Sequence, residues 1–498
     1  MMSVFSKDAD PSKALRFCRR PLGNVRRGPR AAGHGTVRAV GKQPCHPQRR
    51  NASGGALPGS VVAFGPGRRK VIRPMNPPQA HLSGTIPPRL LPGAWLVVAL
   101  LVPVALLNYL DRQMLASMKF SVMAGIPDIG TDANWGRMLG QFKWVYALFS
   151  PIGGYLADRF GRRYTICGSL FAWSAVTWWT GHVQSYSELL TARSLMGLSE
   201  AFYIPAALAL IADYHLGPTR SRAVGFHQMG IYFGVIVGGF GGYVADAPSL
   251  GWRWAFDLCG LVGMAYALPL LFLLRDVRKP DHPSGRLAVS PLGAARALLT
   301  NASFILLVLY FTLPALAGWV VRDWMPAILK AEFNIGQGKA GVSATLFWQV
   351  AAIFGALGGG WLADRWMRKT ARGRIYVSAF GMAMIIPAMF GIGYAPQTGQ
   401  LWVAVVFLIL FGLGWGFFDT NNMPILCQIT RPHLRATGYG LMNLVSISAG
   451  GLADWGFGIM RDRQVPLAGI FSVFASAALI SVVLVLLIKP RYPDDTSI

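Results

Sequence analysis

Charge is scarce in this 498-residue chain, and cysteine is scarcer. Asp, Glu, Lys and Arg make up 14% of it, against about 25% in an ordinary soluble chain. Five cysteines are too few for a disulfide framework, and Cys167, Cys259 and Cys427 sit in or beside apolar runs. Acids are the rarer sign, with 21 Asp+Glu against 47 Lys+Arg, for a formal net charge of +26. No His falls in an H-E-x-x-H arrangement, and the cysteines beyond residue 90 lack metal-ligand spacing. The glycine runs are not followed by Lys-Ser/Thr, so no phosphate-binding loop is read there. These absences point away from an enzyme: no catalytic residue, metal or cofactor is expected.

What is abundant is apolar. Hydrophobic residues reach 53% and aromatics 12%, which is a membrane-protein composition. The charge is unevenly placed. Residues 1–90 hold 17 Lys+Arg against only Asp8 and Asp10, and they are rich in Arg, Pro and Gly. A basic disordered tail is expected there. Readings of it as a nucleic-acid or lipid-binding arm, a transit peptide, a solvated tail or sequence ahead of a start at Met75 stay open. The body is too apolar for a nucleic-acid-binding domain, and no nucleic-acid partner is expected.

Beyond Pro92, apolar runs of about 20 residues recur, each long enough to cross a bilayer as a helix. Twelve are expected, near 94–116, 138–157, 164–183, 187–212, 223–245, 253–274, 302–326, 340–363, 374–394, 400–427, 436–458 and 467–488. Loop charge orients them. One set of alternate loops, with the C-terminus, carries 19 Lys+Arg, among them Arg159, Arg162, Arg163, Arg220 and Arg222; the other set carries seven. The positive-inside rule puts the first set, and both termini, in the cytoplasm. A multi-pass protein of the cell inner (plasma) membrane is expected.

The chain repeats itself six runs apart. Gly154-Tyr-Leu-Ala-Asp158-Arg159-Phe-Gly161-Arg162-Arg163 follows the second run, and Gly360-Trp-Leu-Ala-Asp364-Arg365 follows the eighth. Glu200 in the fourth run has Pro205 five residues on, and Asp419 in the tenth has Pro424 five residues on. Arg222-Ala-Val-Gly225 opens the fifth run, and Arg435-Ala-Thr-Gly438 opens the eleventh. The repeat divides the body into two pseudo-symmetric six-helix bundles, 91–274 and 302–490. A cytoplasmic central loop, 275–301, joins them, and 491–498 is a C-terminal tail. Such halves place a substrate site between them near the bilayer midplane.

The G-x-x-x-D-R-x-G-R-R loop resembles the signature of the major facilitator superfamily, over residues 93–490. Two further stretches, Asn108-Tyr109-Leu110-Asp111-Arg112 and Arg193-Ser-Leu-Met-Gly197-Leu-Ser-Glu200-Ala201, resemble its anion:cation symporter family. That family includes proton-coupled hexuronate and galactonate transporters. The Spinster-like lipid transporters share much of the same pattern. The resemblance implies the twelve-helix major facilitator fold and alternating access. It also implies a cytoplasmic gate at Gly154, Asp158, Arg159, Gly161, Arg162, Arg163, Asp364 and Arg365 that latches the outward-open state. Read without it, the loop arginines are positive-inside anchors, but Gly154 and Asp158 are then unexplained.

A charge at mid-bilayer costs about 2.5–3.5 kcal/mol on insertion scales, so buried charges normally pair or face a cavity. Asp111, Arg112, Lys143, Arg193, Glu200 and Asp419 fall inside the expected runs or at their ends. Arg193, Gly197 and Glu200 share one helix face, and Asn108 and Asp111 share another. Asp111 and Arg112 are therefore expected to face Arg193 and Glu200, giving each carboxylate an arginine partner. Asp111 and Glu200 are the candidate proton-coupling groups, with a purely structural ion-pair network as the alternative. Arg193 is the candidate anchor for an anionic substrate, because a guanidinium binds a carboxylate through two bonds. Arg112 assists it or acts as a gate. Asp419, Asn421 and Asn422 suit sugar hydroxyls, or satisfy backbone freed by Pro424. Gln349, Trp348, Asn443, Tyr109, Tyr203 and Tyr232 are weaker candidates for the lining. Lys143 and His227 line the cavity or bond between helices, and Arg322-Asp323 is a gate or a local pair.

The expectation is a monomeric secondary transporter for proton-coupled symport of a small organic anion, such as a sugar acid. Its partners are that anion, protons and the lipid bilayer. The alternatives are a Spinster-like lipid transporter and a non-transporting nutrient receptor.

Overall fold

Inside a bilayer the backbone must satisfy its own hydrogen bonds, which leaves helices as the way for such runs to cross. The computed structural model describes residues 91–215, 219–277, 291–431 and 434–490; the tails 1–90 and 491–498 lie outside it, as do the surroundings of Gly154 and the side chain of Asp158. The described residues are helical almost throughout. The first half holds α1 (Ala94–Ser117), α2 (Lys119–Gly125), α3 (Asp132–Phe160), α4 (Arg162–Thr180), α5 (Tyr186–Glu200), α6 (Tyr203–Tyr214), α7 (Arg220–Gly239), α8 (Gly241–Asp246) and α9 (Gly251–Leu273). The second holds α10 (Pro291–Leu299), α11 (Ala302–Phe333), α12 (Gln337–Met367), α13 (Gly373–Tyr394), α14 (Leu401–Ile429), α15 (Arg435–Asp462) and α16 (Leu467–Leu487).

Local chemistry sets several of these ends. Thr131 caps α3 by accepting from the Asn134 N–H at 3.1 Å, and Ser185 caps α5 by accepting from Glu188 at 3.3 Å. Asn301 starts α11 through the Ser303 N–H at 3.1 Å, and Asn334 ends it in the left-handed region at φ 48°.

Helix occupies all twelve expected runs. Among the described residues, nine spans are long and apolar enough to cross a membrane. The other three runs, α3, α4 and α15, are 29, 19 and 28 residues long and more polar. Two expected helices are interrupted. The fourth run breaks between α5 and α6 at Ala201, whose carbonyl would need the N–H that Pro205 lacks. The fifth breaks at Phe240 between α7 and α8. The expected central loop, 275–301, also needs correction. Its end forms α10, which buries Ala294 and Leu298 and packs on α11 and α15. Residues 278–290 lie outside the described part.

The packing repeats as the motifs do. In the first half α1 packs on α7, α3 on α5, and α4 on both α5 and α9. In the second, α11 packs on α15, α12 on α14, and α13 on both α14 and α16. These are the same pairings six runs on. The halves meet along two further seams, α3 with α15 and α7–α8 with α12, which the repeat also interchanges. Large apolar side chains such as Phe272, Leu357 and Val473 are exposed on the outside, as a lipid-facing surface requires.

Glycines make the close contacts. A side chain at Gly230, Gly234 or Gly238 of α7 would run into the α1 carbonyls of Val102, Leu106 or Leu110. This is the smooth small-residue face that lets membrane helices approach. Both seams between the halves are glycine-lined as well. Gly136 and Gly140 of α3 abut Asp454 and Gly451 of α15, and Gly239 and Gly242 abut Gly341 and Gln337 of α12. These contacts lie towards the ends of α3 and α12 that are remote from the basic loops. The halves are therefore closed on the face opposite those loops.

Replacing Gly234 with Leu should lower stability by about 1–3 kcal/mol, the usual range for overpacking. The change should appear as a lowered unfolding midpoint of the purified protein in detergent.

Candidate functional site

Two helices of the first half carry its buried charges. Helix α1 presents Asn108, Asp111 and Arg112 one turn apart, and α5 presents Arg193 and Glu200 on one face. Asp111, Arg193 and Glu200 are all buried. Arg112 Nε donates to Glu200 Oε2 at 2.6 Å, and its Nη2 donates to Asn108 Oδ1 at 3.2 Å. The rings of Tyr109, Phe142 and Tyr146 surround the guanidinium at 4.8, 4.6 and 5.0 Å. Cation–π attraction therefore adds to the ion pair.

The expected second pair does not form. Asp111 instead accepts from the Thr177 hydroxyl of α4 at 3.1 Å. Arg193 lies over the Phe142 ring at 4.6 Å and donates to Met196 Sδ at 3.0 Å, with no carboxylate within 4 Å among the described residues. Glu200 attracts the arginine on the neighbouring helix rather than the one seven residues before it on its own. Asp111 Oδ1 and Glu200 Oε1 are buried and accept no hydrogen bond among the described residues.

A cavity of about 290 Å³ lies between the halves. Helices α1, α3, α6 and α7 line it from one side, and their repeat counterparts α11, α12, α14 and α15 from the other. No lining comes from α4, α9, α13 or α16. Three expected site residues, Tyr109, Gln349 and Asp419, line this cavity, as do Tyr232, Trp348 and Asn443. Asp419 is exposed to it.

Other expected binding residues lie elsewhere. Arg112 and Arg193 line a smaller cavity of about 20 Å³ beside the first. Asn421 and Asn422 are buried outside the lining, and Asn421 Nδ2 turns back onto the Phe417 carbonyl of its own helix at 2.9 Å. On α14, Asp419 looks into the cavity; Asn421, two residues on, points to the other side of the helix, and Asn422, three residues on and near the Asp419 face, is buried short of the lining. Tyr203 and His227 are occupied with each other at 2.9 Å inside the first bundle.

Arg322 of α11 also reaches the cavity, so that one basic and one acidic side chain, Arg322 and Asp419, face it together. Its guanidinium lies 5.2 Å from the Trp319 ring, 5.6 Å from Tyr109 and 6.0 Å from Trp348. No carboxylate approaches it within 4 Å among the described residues. Its neighbour Asp323 points the other way and forms an ion pair with Lys143 of α3. Lys143 also pairs with Asp454 of α15, so one buried lysine joins the first half to two carboxylates of the second. Sequence reading missed Asp454, although an acid inside the expected run 436–458 is itself the signal.

The basic loop is held within the first half. Gly161 takes φ 91°, which places the Arg163 N–H 3.0 Å from the Asp276 carboxylate. Arg162 binds Asp213 and the Ala209 carbonyl, and Arg159 donates to the Tyr155 hydroxyl at 3.1 Å. In the second copy, Arg374 donates to Asp364 at 3.2 Å and Arg365 is exposed. The surroundings of Gly154 and the side chain of Asp158 lie outside the described part.

The sequence profile of the Major Facilitator Superfamily matches residues 101–453. The chain is similar to human Protein spinster homolog 1, with 29% identity over 406 residues, covering 74% of this chain and 73% of that one. It is 26% identical over 374 residues to an MFS-type efflux pump of Mycolicibacterium smegmatis, covering 74% and 85%. Among solved structures, it is similar to a bacterial homolog of the human lysosomal transporter Spinster in an inward-facing, unoccupied conformation. That likeness has a TM-score of 0.65 at 21% identity and covers 80% of this chain and 95% of that one. These matches carry the Spinster-like side of the resemblance; none of the three is a hexuronate or galactonate transporter.

Truncating one partner of a buried ion pair costs about 3–5 kcal/mol, because the other charge is left without compensation. Arg112→Ala should therefore destabilise the protein by that order, and Arg112→Ala/Glu200→Ala by less than the two single losses combined. A double-mutant cycle of unfolding midpoints checks the coupling.

Proposed function

This chain belongs to the Major Facilitator Superfamily, and we propose that it moves an amphipathic organic anion by alternating access, coupled to protons. It is a multi-pass membrane transporter rather than an enzyme. The observation that carries the substrate reading is Arg322. A guanidinium facing a cavity, with no carboxylate partner within 4 Å among the described residues, favours a carboxylate or phosphate on the ligand. The wall around it is mixed: Trp319, Trp348, Trp415, Ile204 and Leu208 supply apolar surface, and Gln228, Gln349, Asn443 and Asp419 supply polar groups. An anion with an apolar body fits the indole and aliphatic part of that lining. The amides proposed for sugar hydroxyls, Asn421 and Asn422, lie outside it.

Asp111 and Glu200 supply the coupling. Each is buried with one oxygen that accepts no hydrogen bond among the described residues, beside an arginine that the small cavity also touches. Movement of the halves changes the solvation of that cluster and so its proton occupancy. In this reading the basic loops face the cytoplasm and all twelve runs cross the membrane. The cavity then faces inward in a monomer of the cell membrane.

A second reading, transport of a lipid with an anionic head, is favoured by the Spinster-like relatives. Uptake into proteoliposomes separates the two. Aryl and alkyl carboxylates, sugar acids, neutral sugars and lysolipids are compared with and without an inward proton gradient. The expectation is gradient-stimulated flux of the carboxylates. Flux confined to lysolipids would favour the second reading, and flux of uncharged sugars alone would remove both.

Arg322→Gln should raise KM for the carboxylate by roughly tenfold or more, the worth of one charge-assisted hydrogen bond. Asp111→Asn and Glu200→Gln should each remove the response to the proton gradient. Full retention of that response by both would refute the coupling assignment.

A further inference from the structure

On the face opposite the basic loops, each half reaches across to the other in the same way. Asp462, the last residue of α15, accepts from the N–H groups of Asp132 and Ala133 at 2.9 and 2.8 Å. Those two residues begin α3 in the other half. Asp246, the last residue of α8, accepts from the Gly338 N–H at 3.3 Å and from Gln337 Nε2 at 2.8 Å. Those two residues begin α12, again in the other half.

The two contacts are related by the internal repeat. Counting from Asp132 by the interval that separates Gly154 from Gly360 arrives at Gly338. The carboxylates end the fifth and eleventh runs, which open with the matched Arg222-Ala-Val-Gly225 and Arg435-Ala-Thr-Gly438. The first N–H groups of a helix have no partner within it and carry its positive end, so a carboxylate there is favoured. Each contact also sits at the rim of a glycine seam: Gly458 abuts the Asp132 carbonyl, and Gly242 abuts Gln337.

We propose that Asp246 and Asp462 are matched latches that hold this face closed, and so bias the transporter towards the state open at the basic-loop face. This rests on the alternating-access reading above. The two carboxylates are positioning residues and touch no part of the cavity. Opening this face would separate α15 from α3 and α8 from α12, releasing both carboxylates and uncovering the helix ends they cap. Both aspartates are exposed at the rim, so each acts as a weak, salt-sensitive contact, and the pair acts together.

The test uses the full-length chain with its native cysteines replaced and Ser117→Cys as reporter. Ser117 is buried and abuts Gly341 across the seam, so a thiol there reacts only when the face opens. A membrane-impermeant maleimide is applied from that face. Asp246→Asn and Asp462→Asn should each raise the alkylation rate roughly twofold to fivefold at low salt, the span expected of a carboxylate at an exposed helix end. The double variant should exceed either single one, 1 M salt should erase the differences, and the unfolding midpoint should not move. Asp257→Asn is the control, because Asp257 pairs with His182 inside the first half. The proposal is overturned if the double variant reacts at the parent rate. It is equally overturned if Asp257→Asn gives the same increase, or if the increase follows a fall in the unfolding midpoint. Absence of flux for every anion tested would remove the substrate reading and leave these rates intact.

Discussion

One buried ammonium joins the halves of this protein. Lys143 extends from α3 to Asp323 on α11 and Asp454 on α15, and all three are removed from bulk water. A lone charge in such a place is too costly to keep, so the lysine holds the two bundles together wherever it stays buried. The glycine seams allow the backbones to approach closely enough for that contact. With one face drawn shut, the space between the halves lies towards the basic loops. The cavity follows from the closure.

The same economy of charge separates two sites within the molecule. In the first half, Glu200 takes Arg112 and leaves Arg193 against an aromatic ring. In the second, Asp323 takes Lys143 and leaves Arg322 facing the cavity. The small cavity touches Arg112, Arg193, Lys143 and Arg322 together. The Arg112–Glu200 pair therefore lies within electrostatic reach of the lysine that joins the halves and of the arginine that faces the larger cavity. Low dielectric surroundings make such influence stronger than it would be in water.

Much of this was legible in the chain because a bilayer permits few structures. Runs of about 20 apolar residues had to be helices, and the repeated loop motif put them in two matched halves. The buried ion pair at Arg112 and Glu200 was legible too, since charges inside apolar runs need partners. Rotation about each helix axis was harder to read. Asn421 stands two residues from Asp419 and so faces the other side of the helix, while Asn422, three residues on, is near the right face but buried short of the lining. Asp454 went unnoticed in a run whose polar residues were otherwise small.

By itself the sequence determined the helices, their order, the twofold repeat and the side that carries positive loops, because hydrophobic length and loop charge act locally. Only the tertiary structure decided which of several arginines pairs with a carboxylate and which one faces the cavity. Arg193 and Arg322 look alike as residues in apolar runs, and the packing of neighbouring helices puts one against Phe142 and the other in the cavity. Partner choice depends on distances between helices, and no spacing along one helix contains that information.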